Sequence, residues 1–235
     1  MSKRLFSSET AKYYDAAYTS GFDHKYPNEN VVRLETLYFN RNGGCVLEYG
    51  FGYGTSAIHF AECGYLVEGI DIAQSALELT NRKLIDKEHL RQKITLRILR
   101  EEESEQLPYP DASFDYIVAN QTIHHLGSIS LIAHLLDEFH RILKPEGKMI
   151  ATVLGPSKAI CRTDRKISEN VYEYLDANGP GEACSLPMKY FVFRNEEEVR
   201  GAFSKFVIDE IGWFGSRYCV IDGYHFVVLC RKPAL

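Results

Sequence analysis

Residues Val46–Gly54 read VLEYGFGYG, an apolar segment that runs directly into three alternating glycines. The apolar part predicts a strand over Cys45–Tyr49, and the pattern after the glycines predicts a helix over Thr55–Cys63. Glycine is needed where a backbone turns tightly and approaches a ligand without a Cβ in the way. The start of a helix adds free N–H groups and a partial positive charge. The stretch therefore predicts a strand–loop–helix unit that binds a small ligand.

The glycine spacing distinguishes two classes of nucleotide-binding loop. Proteins that bind a nicotinamide dinucleotide have the pattern G-x-G-x-x-G/A, whereas Thr55 occupies its third position here. The observed spacing is G-x-G-x-G, and Glu48 precedes the first glycine by two residues. A carboxylate there disfavours a pyrophosphate and suits a ligand with a cationic amino-acid end. An NAD-dependent oxidoreductase remains an alternative, but a disfavoured one.

A second acidic residue supports a ligand that contains a ribose. The next apolar run, Leu66–Ile70, predicts a strand, and Asp71 follows it directly. A carboxylate at the end of this strand can accept hydrogen bonds from both ribose hydroxyls. Asp also caps helices, and a helix is predicted over Ala73–Ile85. Beside the glycine loop we favour the ribose-binding interpretation.

From Gly44 to Leu154, short apolar runs alternate with helical patterns, which predicts βαβ units and a parallel sheet. The other strands predicted in this part are Ile94–Leu99, Tyr116–Asn120 and Lys148–Leu154, with a helix over Ser128–Leu143. Two helices, Ser8–Thr19 and Asn28–Phe39, are predicted before the sheet.

The remaining segments complete a single domain over residues 1–235. A helix over Glu196–Phe203 is followed by two strands, Phe206–Phe214 and Tyr224–Arg231, and consecutive strands predict an antiparallel hairpin. Residues 155–194 break the alternation, and we interpret them as an insertion that covers the active site, with one helix near Glu169–Leu175. The predicted fold is α/β, a three-layer Rossmann-like sheet of about seven mostly parallel strands.

Composition gives no support for a nucleic-acid or membrane partner. The 235 residues carry a formal net charge of −5 and have no long run of Lys or Arg, so nucleic-acid binding is not expected. No segment approaches the roughly 20 apolar residues that span a bilayer, and Met1–Ser8 lacks the apolar run of a secretory signal. None of the six cysteines forms a C-x-x-C pair. We expect a cytoplasmic monomer or homodimer with free thiols and no metal site.

Four later segments match one protein family in the right order. They read ESEQLPY, ASFDYIV, QTIHHL and LKPEGK, over Glu103–Tyr109, Ala112–Val118, Gln121–Leu126 and Leu143–Lys148. They are similar to that family's D-A-E-x-L-P-F, (A/G)-S-F-D-x-(V/I)-V, x-x-L-H-H-(L/I) and L-K-P-G-G elements. With the E-x-G-x-G-x-G loop and the acid after the next strand, the chain resembles the class I S-adenosylmethionine-dependent methyltransferases. The resemblance implies S-adenosyl-L-methionine as the cofactor and S-adenosyl-L-homocysteine as its product.

The resemblance also implies a role for individual residues. Glu48, Gly50, Gly52 and Gly54 would shape the pocket for the methionine half of the cofactor, and Asp71 would hold the ribose. Around the adenine, Ile72 would pack on the ring, Glu103 would accept from the amino group, and the backbone of Ser104 would meet the ring edge. The family has Asp where this chain has Glu103, and the neighbouring acids leave Glu102 as a substitute. The backbone of Asn120 would face the methionine end, and either Tyr13 or Tyr14 would contact the cofactor.

The acceptor side is less defined by the sequence. His124 and His125 are adjacent and cannot share one face of a helix or strand, so one of them is expected to be structural. Imidazole titrates near neutrality, and His125 is the preferred candidate for a general base. We expect a small-molecule acceptor, attacked at O, N, C or S. The alternative is a methyltransferase-fold protein that acts on a protein or has lost catalysis.

Overall fold

The computed structural model describes residues 4–40, 43–175, 181, 185–218 and 221–234. Within these ranges the chain forms ten strands: β1 (Cys45–Tyr49), β2 (Leu66–Asp71), β3 (Ile94–Ile98), β4 (Phe114–Ala119), β5 (Leu143–Leu154), β6 (Lys166–Ser168), β7 (Val171–Tyr174), β8 (Met188–Phe191), β9 (Val207–Tyr218) and β10 (Ile221–Arg231). The same ranges contain seven α-helices: α1 (Ser8–Thr19), α2 (Glu29–Tyr38), α3 (Thr55–Glu62), α4 (Gln74–Lys83), α5 (Glu88–Arg91), α6 (Ile129–Ile142) and α7 (Glu196–Ala202).

Seven of the described strands form one sheet in the order β3-β2-β1-β4-β5-β10-β9. The five strands from β3 to β5 are parallel, while β10 is antiparallel to both β5 and β9. The predicted α/β fold with a C-terminal antiparallel hairpin is therefore confirmed. The strand order reverses between β1 and β4, and ligands of open α/β sheets bind at the carboxyl ends of strands at such a point.

The alternating side chains of the central strands bury two separate apolar clusters, one on each face of the sheet. Leu47 of β1 belongs to a cluster with Phe139 of α6, and its neighbour Val46 belongs to a cluster with Phe60 of α3. Both phenylalanines are fully buried. Burying one such side chain contributes about 1.5–3 kcal/mol. The opposed clusters fix α3 and α6 on opposite faces and so produce three layers.

The insertion differs from its prediction. The helix predicted near Glu169–Leu175 is wrong, because these residues contain strand β7, which pairs with β6 and β8 in a second, three-stranded antiparallel sheet. Val171, Tyr172 and Tyr174 are β-branched or aromatic, and such residues favour strands once a partner strand is available. Parts of the insertion, residues 176–180 and 182–184, lie outside the described residues.

Strand β5 begins earlier than predicted. It starts at Leu143, because Leu143 already pairs with Phe114 before a register shift at the Lys144–Gly147 turn.

None of the helices in the described part of the chain has the length and apolar character that a membrane crossing requires.

Candidate cofactor and acceptor site

The glycine loop follows β1 and approaches three other elements closely. Gly50, Gly52 and Gly54 all have positive φ, at +76°, +52° and +74°. A Cβ on Gly50 would lie 2.3 Å from Cγ2 of Thr122, and one on Gly52 would lie 2.8 Å from the hydroxyl oxygen of Tyr18. Side chains rarely tolerate either the backbone conformation or such contacts. The loop thus requires glycine for backbone conformation and for space.

Asp71 fixes the glycine loop from the adjacent strand. Its Oδ2 accepts a hydrogen bond from the Gly52 N–H at 2.8 Å, and its Oδ1 accepts from the N–H groups of Ile72 at 2.7 Å and Ala73 at 3.0 Å. Burial raises the pKa of this carboxyl, and the three backbone donors counteract part of the rise. A carboxylate has about four acceptor positions, so this arrangement is compatible with a further donor from a ligand.

Glu48 is the least satisfied acid of the site. Its side chain is 5% exposed, and its Oε2 has no hydrogen-bond partner among the described residues. Burial raises the pKa of Glu48 well above its usual range, although the Ser56 hydroxyl and the Ala57 N–H donate to the carboxylate. A buried acceptor without a partner costs about 1–3 kcal/mol, and more when it is charged. The carboxylate would therefore gain from a cationic donor on a bound ligand.

These elements enclose a cavity of about 200 Å³. Most of the residues predicted from the sequence meet at its wall, namely Tyr14, Glu48, Gly50, Gly52, Asp71, Ile72, Asn120 and His125. Gly54 stays outside the wall and begins α3, where a Cβ would meet the side chain of Thr80 at 2.3 Å. The cavity lies at the carboxyl ends of β1, β2 and β4, where the strand order reverses.

Glu103 and Ser104 are not brought to this wall. Glu103 is exposed in a short 3₁₀ turn over Glu101–Glu103. Ser104 is fully buried, but its hydroxyl donates to the Glu101 carbonyl at 2.8 Å and its own carbonyl accepts from the Leu5 N–H at 2.8 Å. The N-terminal segment therefore occupies the surroundings of this turn, and Leu5, Phe6 and Leu99 line the cavity in their place. Contacts of Glu103, Glu102 and Ser104 with adenine stay predictions.

Aromatic side chains of helix α1 and of the loop that follows it cover the cavity. Tyr14 and Tyr18 stack at a centroid distance of 5.8 Å, Tyr18 and Phe22 stack at 6.1 Å, and all three line the wall. Tyr13 instead packs with Tyr190 in an apolar cluster of the second sheet. Tyr18 and Phe22 were missed as site residues. The four-residue spacing of Tyr14 and Tyr18 on one helix is the signal that could have found Tyr18, whereas Phe22 lies in the loop after α1.

The rings of the two adjacent histidines contact each other at a centroid distance of 4.4 Å, but their further surroundings differ. His125 lines the cavity, and its Nε2 shares a hydrogen bond of 2.8 Å with the Tyr14 hydroxyl. His124 is buried between Tyr190 and His225, at centroid distances of 5.4 and 5.7 Å. Burial lowers the pKa of His125 to about 3, and His225 acts in the same direction. His125 is therefore neutral at pH 7 and can accept or donate one hydrogen bond at each ring nitrogen.

Comparison with known proteins agrees with this site. A methyltransferase-domain family matches residues 47–151, which include the glycine loop, Asp71 and the histidine pair. Over this segment the chain is similar to the methyltransferase domain. It is 30% identical over 136 residues to 27-O-demethylrifamycin SV methyltransferase of Amycolatopsis mediterranei (strain S699), covering 56% of this chain and 47% of that protein. It is 27% identical over 211 residues to a sterol 4-C-methyltransferase of Caenorhabditis elegans, covering 86% and 58%.

Solved methyltransferase structures have the same fold. A SAM-dependent methyltransferase from Methanosarcina mazei superposes with a TM-score of 0.70 at 19% identity, covering 89% of this chain and all of that one. The chain spans about half the length of the curated methyltransferases that it matches, at 47% and 58%.

Proposed function

We propose that the protein binds S-adenosyl-L-methionine in the cavity and transfers its methyl group to a small-molecule acceptor, releasing S-adenosyl-L-homocysteine. The observation that carries the proposal is the buried Oε2 of Glu48, which lacks a partner in the described part of the chain and lies beside the glycine loop. This oxygen fits the α-ammonium group of a methionine moiety. A dinucleotide would instead bring a pyrophosphate to a carboxylate.

Different parts of the cavity wall suit different parts of the cofactor. Glu48 would hold the ammonium group, Asp71 would accept from the ribose hydroxyls, and Ile72 with Leu99 would cover the adenine. When bound, the cofactor supplies an electrophilic methyl group on a sulfonium. Tyr14 and Tyr18 of α1 and Phe22 in the following loop would exclude water from the cofactor, because all three already line the wall. An uncharged, dry environment favours loss of the sulfonium charge in an in-line displacement.

Tyr14 and His125 mark the acceptor end. Because His125 is neutral and hydrogen-bonded to Tyr14, the pair can hold an acceptor through its O–H or N–H group. His125 would take the acceptor's proton as the new bond to carbon forms, and Tyr14 would orient the imidazole. Holding the reactants in line supplies about 7–11 kcal/mol in well-oriented systems. Positioning by this pair is therefore the larger part of its proposed role.

The insertion would close the acceptor end. Tyr190 of β8 contacts the ring of His125 at a centroid distance of 4.9 Å, and the second sheet packs against α1 through Met188 and Val192. An enclosed aromatic site favours a small molecule over a protein segment. The free thiols of Cys45, Cys161 and Cys230 fit a reducing, cytoplasmic compartment.

Calorimetry with S-adenosylmethionine and S-adenosylhomocysteine tests the cofactor proposal. We expect both to bind the purified chain, and NADH to cause no shift in its thermal unfolding. A metabolite screen that detects S-adenosylhomocysteine release then identifies the acceptor. Absence of binding by both sulfur ligands, or a thermal shift with NADH alone, would contradict the proposal.

The proposed closure of the acceptor end by the insertion is tested with Tyr190→Ala. Tyr26→Ala is the control, since Tyr26 is 71% exposed. We expect Tyr190→Ala to raise the KM for the acceptor at least several-fold and to leave the cofactor Kd unchanged. Equal acceptor KM values for the two variants would show that the insertion does not cover this end.

A further inference from the structure

Three side chains that commonly bind metals meet where α2 packs on α3. Glu35 belongs to α2, His59 to α3, and Cys63 ends α3 as its C-cap residue. One donor atom from each of the three lies within 4.8 Å of the other two. None of the three residues lines the cofactor cavity. The cluster is therefore a separate feature of the molecule.

The distances match the edges of a zinc coordination sphere. His59 Nε2 lies 3.6 Å from Glu35 Oε2 and 3.7 Å from Cys63 Sγ. For tetrahedral zinc, bond lengths of about 2.0–2.3 Å place a nitrogen roughly 3.4 Å from an oxygen and roughly 3.6 Å from a sulfur. An ion fits between the donor atoms after side-chain shifts of a few tenths of an ångström.

The surroundings orient and charge-balance such a site. Glu35 is fully buried, and Tyr65 donates a hydrogen bond of 3.0 Å to its Oε1, while Oε2 is the oxygen nearest to His59. Supporting hydrogen bonds of this type fix the ligands of metal sites. A zinc ion would place a positive charge beside this buried carboxylate, and buried charges are stabilised by such pairing.

The sequence contained part of this signal. His59 and Cys63 are four residues apart and lie on one face of a helix, so the relevant spacing is H-x-x-x-C and not C-x-x-C. The third group, Glu35, comes from a different helix, and only the packing of α2 on α3 brings it close. The expectation of no metal site rested on cysteine spacing alone.

We propose that Glu35, His59 and Cys63 bind one zinc ion, with a solvent molecule as the fourth ligand. His59 and Cys63 are partly exposed, which leaves room for solvent and for entry of the ion. On binding, the Cys63 thiol releases its proton to solvent and coordinates as a thiolate. The ion ties α2 to the C-terminal end of α3, the helix that begins at the glycine loop. Binding therefore stabilises the fold and not the chemistry of methyl transfer.

Zinc titration of the chelator-treated 235-residue chain tests the site, with a chromophoric chelator as competitor. We expect one ion per chain, release of a proton, and a higher Tm with zinc than without it. Cobalt(II) in place of zinc should give the absorption of a thiolate–cobalt bond. Cys63→Ser should abolish that absorption, whereas Cys45→Ser, which removes a free thiol outside the cluster, should retain it.

Three further measurements do not depend on the folding of the Cys63 variant. In the wild-type chain, zinc should protect Cys63 from alkylation relative to Cys45, as read by mass spectrometry of peptides. Tyr65→Phe, which keeps all three ligands and removes only the supporting hydroxyl, should weaken zinc binding roughly 10- to 100-fold. His59→Gln should lose the zinc-dependent rise in Tm.

The proposal is overturned by any of three results. They are absence of stoichiometric zinc binding by the wild-type chain, zinc affinity unchanged by His59→Gln and Cys63→Ser, or equal alkylation of Cys63 with and without zinc. The first result would identify the cluster as a contact between Glu35, His59 and Cys63 that binds no metal.

Discussion

The two ends of the cavity are built by different means. The proposed cofactor end is made by backbone: two glycines with positive φ, the N–H of Gly52, and a carboxylate that accepts from consecutive amides. The proposed acceptor end is made by side chains from distant segments, with Tyr14 from α1, His125 from a 3₁₀ turn and Tyr190 from the second sheet. A required backbone conformation restricts which residues can occupy one short stretch of sequence. A cluster of side chains from distant segments restricts only one or two residues in each segment. One end of the cavity is therefore predicted in detail from the sequence, whereas at the other end the sequence proposed His125 without its contacts to Tyr14 and Tyr190.

The largest expected effect falls on the cofactor end, in Gly50→Ala. The alanine would be held at a positive φ that residues with a side chain rarely adopt, and its Cβ would lie 2.3 Å from Cγ2 of Thr122. We expect S-adenosylmethionine binding to be lost in calorimetry, and the free energy of unfolding to fall by about 1–3 kcal/mol. Gly64→Ala is the matched control, because Gly64 also has positive φ, +98°, but no atom lies within 4 Å of its added Cβ.

The two glycine variants together separate backbone strain from contact. If Gly64→Ala destabilises the protein as much as Gly50→Ala does, the loop is limited by conformation alone. Retention of cofactor binding by Gly50→Ala would show that the close approach to Thr122 is not needed for the site.

Substitutions at the acceptor end should lower kcat and leave the affinity for the cofactor unchanged. For His125→Gln we expect kcat to fall about 100-fold or more, as is typical when a positioned proton-transfer group is removed, with an unchanged Kd for S-adenosylmethionine. Tyr14→Phe should lower kcat less, because it removes only the hydrogen bond of 2.8 Å to the imidazole. Tyr13→Phe is the control, since Tyr13 packs in the second-sheet cluster and not on the cavity. Unchanged kcat for His125→Gln would remove this residue from the mechanism.

Much of the fold could be predicted because its strands are short, apolar and separated by clear helical patterns. The failure near Glu169–Leu175 has a physical reason. A short run of Val and Tyr can form either element, and only pairing with β6 and β8, which the sequence did not identify, selects the strand. Glu48 and Asp71 were found because they sit at fixed positions beside a strand end. Tyr18 was missed because its role depends on how α1 packs over the loop.

A smaller effect at the cofactor end comes from charge. Glu48→Gln keeps the shape of the side chain but removes its negative charge. The affinity for S-adenosylmethionine should therefore fall about 10- to 100-fold, which corresponds to the free energy of one hydrogen bond to a charged group. Burial raises the pKa of Glu48 above its unfolded value. Protonated Glu48 therefore favours the folded state at low pH, and that stability is lost as pH rises through the folded pKa.

The same variant gives a test of this pH dependence without ligand. The free energy of unfolding of the wild-type chain should decrease with rising pH above about 4.5, and Glu48→Gln should flatten that decrease. Glu68→Gln is the control, because Glu68 lies on the neighbouring strand, its pKa is also raised by burial, and it does not line the cavity. A wild-type slope identical to that of Glu48→Gln would mean that Glu48 does not titrate in this range.

The smallest effect is expected where the family pattern and the geometry diverge, at Glu103. The D-A-E-x-L-P-F resemblance implies a contact with adenine, whereas the exposed side chain of Glu103 lies outside the cavity wall. If the geometry is decisive, Glu103→Gln should change the Kd for S-adenosylmethionine less than about threefold, because an exposed charge contributes little. Leu99→Ala, which shortens a side chain on the cavity wall, should weaken binding more. A tenfold loss with Glu103→Gln would instead show that the turn over Glu101–Glu103 rearranges when the cofactor binds. Recognition of adenine would then also depend on side chains, and the contrast between the two ends would be confined to the glycine loop.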